Sequence, residues 1–310
     1  MKKLILIILL VLPVFAQSQG IKRGQVGTSG ITPTKSIGTG GIDQSDNLPS
    51  YDGLTIAYFD RLDSLGITYT QDLKAEFDEY FFGYFRPYGI LDSMVAVYWV
   101  ATDSSLGLTD TTRVKQNLLN NKYTLIGKGT NVWRLGLDVG GNGSNSYIST
   151  DFNPIVSGDT SIYKRFSSGI YIYQTSYHSG NCFYYSSFQS QMATYTYSAA
   201  GVLYLNQNSY TEPSRVDTNR VVAHTLMRYS YTVLTYYRNG LPIQTFANNA
   251  GTMANTTIDW FCLNNGGSRG SFNTSKIRVF AILGGLSAWG VNIFNTGIER
   301  WANHKGIGVQ

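Results

Sequence analysis

Past Lys128 the chain is written in short runs of alternating apolar and polar residues, separated by clusters of Asn, Gly and Ser. Gly169-Ile170-Tyr171-Ile172-Tyr173 and Tyr195-Thr196-Tyr197-Ser198 are two such runs. A period of two sends successive side chains to opposite faces, so each run reads as a strand with one buried and one wet face. Strands are predicted over residues 133–139, 147–150, 168–177, 182–188, 192–198, 202–206, 220–226, 230–238, 242–247, 258–263 and 276–283. Asn239-Gly240 lies between two of them and is a two-residue hairpin signal, because both central residues must take φ > 0. About eleven short strands at roughly ten-residue spacing imply a sandwich or jelly roll. Gly285-Leu286-Ser287, followed by Trp289, Ile293, Ile298 and Trp301, predicts a short closing helix packed onto the sheet.

The segment before the strands has a different period. Thr70 is an N-cap candidate with Gln71 and Asp72 in the first turn. Leu73, Phe77, Tyr80, Phe81 and Tyr84 then recur at three- and four-residue spacing, which predicts one amphipathic helix ending near Arg86-Pro87. Its aromatic stripe reads as core packing, with no ligand assigned to it. Residues 90–100 are apolar with a period that fits helix or strand, and the whole of 51–125 reads as a small helical or mixed subdomain ahead of a sandwich with a C-terminal helix over 126–310. Residues 17–50 are rich in Gly, Ser, Thr and Gln and read as a flexible spacer. Ahead of them, Lys2-Lys3, an apolar stretch from Leu4 to Val14 and Val14-Phe15-Ala16 form a signal-peptide-like segment, 1–16. Eleven apolar residues reach only ~16 Å as a helix, short of a bilayer core of ~30 Å.

The chemistry a hydrolase needs is sparse. The last 150 residues hold 14 of the 23 tyrosines but only four carboxylates, Glu212, Asp217, Asp259 and Glu299. Glycosidases set two carboxyl groups about 5 to 10 Å apart across the bond, and no strand here repeats acids on one face. His178, His224 and His304 have no partner motif, and no G-x-S-x-G, P-loop, H-E-x-x-H or EF-hand pattern occurs. The expectation is a non-catalytic binding or structural module. Asn264-Asn265-Gly266-Gly267-Ser268-Arg269-Gly270 reads as a loop, and Asn264, Asn265 and Arg269 are the candidate ligand donors in it. No cofactor is expected, and a calcium site built from Asp151, Asp159 or Asp259 has no spacing in its favour. Cys182 and Cys262, 80 residues apart, could form a disulfide stabilising by ~4 kcal/mol or remain buried thiols. From residue 161 onward 11 Lys plus Arg face 4 acids, a balance that could attract anionic glycans or simply solubilise a Tyr-rich sheet. The basic residues form no run, so no nucleic acid is expected as a partner.

Four stretches carry a family likeness. Asn142-Gly143-Ser144-Asn145-Ser146-Tyr147 through Thr150-Asp151-Phe152-Asn153-Pro154 resembles a segment of tailed-bacteriophage structural proteins of tail or fibre type, which carry a laminin-G-like, concanavalin-like domain. Tyr88-Gly89-Ile90-Leu91-Asp92-Ser93-Met94 with Gln116-Asn117-Leu118 is similar to the helical preface of that family. Ser230 to Asn239 is similar to its central hairpin, and Lys276-Ile277-Arg278 through Gly284-Gly285-Leu286-Ser287 to Trp301 to its closing strand and helix. The resemblance implies an all-β, two-sheet jelly-roll or concanavalin-like sandwich preceded by a small helical subdomain. It further implies a virion surface, tail or fibre protein that assembles with itself, as a trimer if fibre-like, or with other virion proteins, and that binds host glycans. The signal-like N-terminus supports the alternative, a secreted bacterial lectin-like or cell-surface protein.

Overall fold

A computed structural model describes residues 51–100, 111–134, 137–157, 162–176, 191–197, 202–209, 214–216, 223–251, 253, 255–265, 267–270, 272 and 274–308. The signal-like segment and spacer lie outside them, as do Asp159, His178, Cys182, Glu212 and Asp217. Helix α1 (Gly53–Ser64) begins at Asp52, whose carboxylate accepts the Leu54 N–H at 2.8 Å. Helix α2 (Gln71–Phe77) begins at Thr70 as predicted, with Thr70 Oγ1 accepting the Leu73 N–H at 3.1 Å. It continues through a π turn, Asp78–Phe82, into α3 (Gly83–Phe85). The Gly83 N–H donates to the Asp78 carbonyl, and a Cβ at 83 would lie 2.6 Å from that oxygen, so glycine is what lets the wider turn close.

The strands follow in chain order: β1 (Met94–Trp99), β2 (Ile126–Lys128), β3 (Val132–Arg134), β4 (Asp138–Gly140), β5 (Tyr147–Ser149), β6 (Ser168–Ser176), β7 (Gln191–Tyr197), β8 (Val202–Ser209), β9 (Ser214–Val216), β10 (Ala223–Arg228), β11 (Val233–Arg238), β12 (Leu241–Ala247), β13 (Asp259–Trp260), β14 (Leu263–Asn265), β15 (Ser268–Gly270) and β16 (Lys276–Gly284). Helix α4 (Ala288–His304) closes the chain. The main sheet has eight strands in the order β12-β11-β10-β6-β16-β4-β3, with β1 also paired to β16. A three-stranded sheet, β13-β5-β2, a hairpin, β14-β15, and a further sheet, β7-β8-β9, complete the antiparallel set. This is the expected all-β sandwich with a small helical region before it.

Two apolar clusters lie on opposite faces of the main sheet. On one face Ile170, Ile172, Tyr98, Phe280 and Ile282 meet Ile148 and Trp260 of the three-stranded sheet. On the other Tyr171, Tyr173, Trp99, Val279 and Ala281 meet α1, α2, the π turn and α4. The wet face expected for Gly169-Ile170-Tyr171-Ile172-Tyr173 is therefore absent: the two isoleucines and the two tyrosines are all buried. Alternation of Ile and Tyr records two different buried surroundings, because a tyrosine ring buries like an apolar group while its hydroxyl finds a polar partner. Tyr171 Oη, for example, donates to Asn295 Oδ1 of α4 at 3.3 Å.

Of the helix or strand that residues 90–100 left open, 94–99 form a strand in the main sheet, with all six residues buried, and Pro49–Gln310 is one compact unit. A strand covered on both faces has no alternation to read, which is why its period was ambiguous. The Asn239-Gly240 turn is as predicted, with φ of 52° and 74°. A Cβ at Gly240 would stand 2.9 Å from Asn295 Cβ, so this turn is also where the hairpin meets α4.

Trp301 joins the helical layer to the sheet. Its ring stacks on Trp99 at 4.1 Å and meets Phe77 edge-on at 4.7 Å, while its indole N–H donates to Glu76. Trp301→Ala should lower unfolding free energy by about 3–5 kcal/mol, read from urea titration. A second expectation concerns acid. Burial raises the Asp52 carboxyl pKa, but its hydrogen bonds to Arg86 and the Leu54 N–H and the Arg86 charge outweigh this and hold it below the ordinary 3.8. A lowered carboxylate stabilises the fold above its unfolded pKa and stops doing so as pH falls through the folded one. The stability gap between the native chain and Asp52→Asn should therefore be full at neutral pH and shrink in strong acid.

Candidate ligand-binding surface

The predicted donor loop folds into the β14–β15 hairpin and turns inward. Asp259, fully buried on β13, accepts Thr257 Oγ1 at 2.9 Å on one oxygen. Its other oxygen accepts Asn264 Nδ2 at 2.9 Å and Arg269 Nε at 3.0 Å. Asn264 Oδ1 accepts the Gly267 N–H at 2.9 Å, and an Arg269 terminal nitrogen donates to the Gly267 carbonyl at 2.7 Å. Burial pushes the Asp259 carboxyl above its usual value, opposed by hydrogen bonds from Ser149 and Thr257 and by Arg269. Asn264 and Arg269 are thus brought together, but around Asp259. Asn265 pairs with Ser268 across the hairpin. What Arg269 leaves at the surface is a guanidinium 5.0 Å over the Tyr147 ring. Between β13 and β14, Phe261 takes φ 66°, a costly conformation for a bulky residue, and reverses the chain so that Asn264 returns to Asp259. Cys262 beside it is a buried free thiol, its pKa pushed up by burial; Cys182 lies outside the described residues.

An open surface forms instead at the seam between the α2–α3 segment and α4. Tyr80, Tyr84 and Tyr88, four residues apart, line up along it, while Phe77, Phe81, Phe82 and Phe85 point into the core. Tyr84 and Tyr88 rings lie 5.5 Å apart, and Tyr88 meets Trp289 edge-on at 5.6 Å. The Arg300 guanidinium sits over both Tyr80 and Tyr84, at 5.2 and 5.6 Å, and His304 stacks on Tyr80 at 4.3 Å. Trp289 is 55% exposed and Tyr88 39%. Beside this ridge a groove of about 310 Å³ is lined by Thr296, Glu299, Arg300 and Asn303.

Local sequence builds the seam. Ser287 caps α4 by accepting the Gly290 N–H at 3.1 Å, which sets Trp289 in the exposed first turn. Gly297 lets the two segments touch: a Cβ there would lie 2.5 Å from the Phe85 ring and 2.6 Å from Tyr84. The π turn adds a residue to one turn and so changes which side chains follow Tyr80 on its face. The expected single core stripe is therefore divided, with Tyr80 and Tyr84 half-buried at its edge. The readable signal was residue type: phenylalanine marks the dry side and tyrosine the side where a hydroxyl can reach water.

The remaining sequence candidates fall elsewhere. Asp259 and Glu299 are both buried, one beneath the β14–β15 hairpin and the other on α4, on opposite faces of the main sheet. Glu299 lies close enough to Tyr173 to raise that phenol's pKa along with burial, which is the larger cause. His224 is buried with Nδ1 2.8 Å from Tyr236 Oη. Among the described residues no three His, Cys, Asp or Glu side chains gather as a metal site would require.

No protein-family profile and no curated protein matches the chain. Among solved structures it is similar to the binding domain of botulinum neurotoxin DC in complex with rat synaptotagmin II, at 15% identity and TM-score 0.48, covering 67% of this chain and 52% of that one. It is also similar to the botulinum neurotoxin serotype D binding domain (13%, TM-score 0.47, 67% and 53%) and to the receptor binding domain of the C/D mosaic serotype (14%, TM-score 0.46, 67% and 52%). The chain spans about half the length of these proteins. A likeness of this degree carries no ligand, partner or residue role across.

The hairpin network yields a prediction. Arg269→Ala should cost about 3–5 kcal/mol of stability, because it strands a buried carboxylate. Urea unfolding of the variant measures this, and an arginine that served only to touch a ligand would leave the midpoint unchanged.

Proposed function

We propose that the chain is a non-catalytic, glycan-binding sandwich that serves on the surface, tail or fibre of a bacteriophage virion. The observation that carries the binding part is the ridge from Trp289 to Tyr80, an aromatic track at the surface; among the described residues Phe166 and Tyr231 are also exposed, but as a single pair. Single exposed apolar residues are ordinary, but a row of rings in mutual contact beside hydroxyl, amide and guanidinium groups is the chemistry that grips sugars. The non-catalytic part is supported by the separation of Asp259 and Glu299 on opposite faces of the sheet, too far apart in the fold to share one bond.

The virion assignment rests on the four family-like stretches. A second reading, a secreted lectin-like or cell-surface protein, is favoured by Lys2-Lys3 and the apolar stretch after them. Peptides of this chain in purified virions, found by mass spectrometry, would support the first; a secreted form beginning near Gln17 in a bacterial culture would support the second. Self-association, as a trimer if the protein is fibre-like, belongs to the first reading and is measured by light scattering on the purified chain.

The full chain, labelled and applied to a glycan array, should bind a subset of glycans without releasing any product from them. A blank array, or cleavage of a bound glycan, overturns the proposal.

A further inference from the structure

Resting on that glycan-binding reading, the geometry points to a narrower ligand: we infer that the Trp289–Tyr80 ridge takes an uncharged, extended glycan chain along its length, not a single terminal sugar and not an anionic one. Three observations lead there.

The first is length. Trp289 and His304 stand at the two ends of the ridge on one helix, and fifteen residues at 1.5 Å each give a track of ~22 Å, several sugar rings long. Trp289, Tyr88 and Tyr84 follow one another along it, and Arg300 bridges Tyr84 to Tyr80 and His304. A site for a terminal sugar is a closed cup that buries most of its ligand, whereas an open track gives contact in proportion to the length laid on it.

The second is charge. The cations of the seam are answered locally: Arg300 lies 3.5 Å from Glu79, and Lys305 pairs with Glu76. Glu299 forms part of the groove wall next to Arg300. The exposed cation Arg300 stands beside the exposed carboxylate of Glu79, so an anionic chain laid on the ridge would meet a like charge next to the opposite one, and the overall positive charge of the protein is not aimed at this surface.

The third is the composition of the flank. Thr296 and Asn303 put a hydroxyl and an amide into the groove of about 310 Å³ beside the rings. The apolar C–H faces of a sugar would rest on Trp289 and Tyr88 while its hydroxyls reach those groups. A protein partner of ordinary interface size would need a broader apolar patch than this one-ring-wide track, broken by Arg300 and His304, provides.

The test is calorimetry of the full chain with a length series of neutral oligosaccharides chosen from the array-positive class, repeated with an anionic series. Affinity should rise with each added sugar up to the length of the track, be unaffected by added salt, and exceed that for the anionic series. Trp289→Ala and Tyr88→Ala should each weaken binding about tenfold, the effect of losing one aromatic contact of ~1.4 kcal/mol. Trp289→Phe should retain most of it. Circular dichroism checks that these exposed positions leave the fold intact, and Phe166→Ala, which removes another exposed ring away from the seam, should bind as the native chain does. A blank array removes the glycan reading itself. An array-positive chain that binds one sugar as well as a long chain, loses affinity in salt, or ignores Trp289→Ala overturns the ridge assignment alone.

Discussion

Trp301 stacked on Trp99 connects parts of the chain that are two hundred residues apart, and the helical cover over the main sheet depends on that contact. Strands β6 and β16 are apolar on both faces, so a sheet made of them cannot leave either face in water. The three-stranded sheet covers one face. The other is covered by two helical pieces from opposite ends of the unit. Trp301 lies among all of them: Trp99 of the sheet beneath it, Phe77 and Phe81 beside it, and Glu76 accepting its N–H. A buried indole with its one donor satisfied contributes both area and direction, which fixes where α4 lies.

Much of this architecture was legible because local rules and tertiary structure agreed. Thr70 caps α2, Asn239-Gly240 makes the hairpin turn, and the runs at 168–176, 233–238 and 276–284 are strands. What was not legible has identifiable causes. Helix α1 is marked only by Asp52 as its cap and by Leu54, Tyr58, Phe59 and Leu62 at helical spacing, a shorter stripe than the aromatic one of α2 and the π turn. β1 gave no period because both its faces are dry. Alternation in β6 does not separate a wet face from a second dry one, because a tyrosine ring buries like an apolar group and Asn295 meets the hydroxyl of Tyr171.

The candidate site was less legible than the fold, for a reason that also lies in burial. Asn264 and Arg269 look like free donors in a glycine-rich loop only as long as Asp259 is placed elsewhere. Once β13 returns to the same corner, the carboxylate must be compensated, and the nearest donors are drawn to it. Conversely, the tyrosines at 80 and 84 cannot be separated from the core stripe by spacing alone, because the π turn changes the spacing partway along.

The seam is a consequence of covering a sheet with two separate helical pieces. Where two helices from different parts of a chain meet, their flanking residues are neither core nor free surface, and large amphipathic rings suit that boundary. Gly297 brings α4 against Phe85 and Tyr84, and the capped start of α4 holds Trp289 at one end of the line. The rings are thereby fixed on packed elements by their neighbours, at the cost of leaving apolar area in water. A ligand meeting such a row gives up little to order it, since the ordering was completed when the protein folded. The same stack that closes the core at Trp301 therefore aligns the surface above it, and a disturbance of one should be felt at the other.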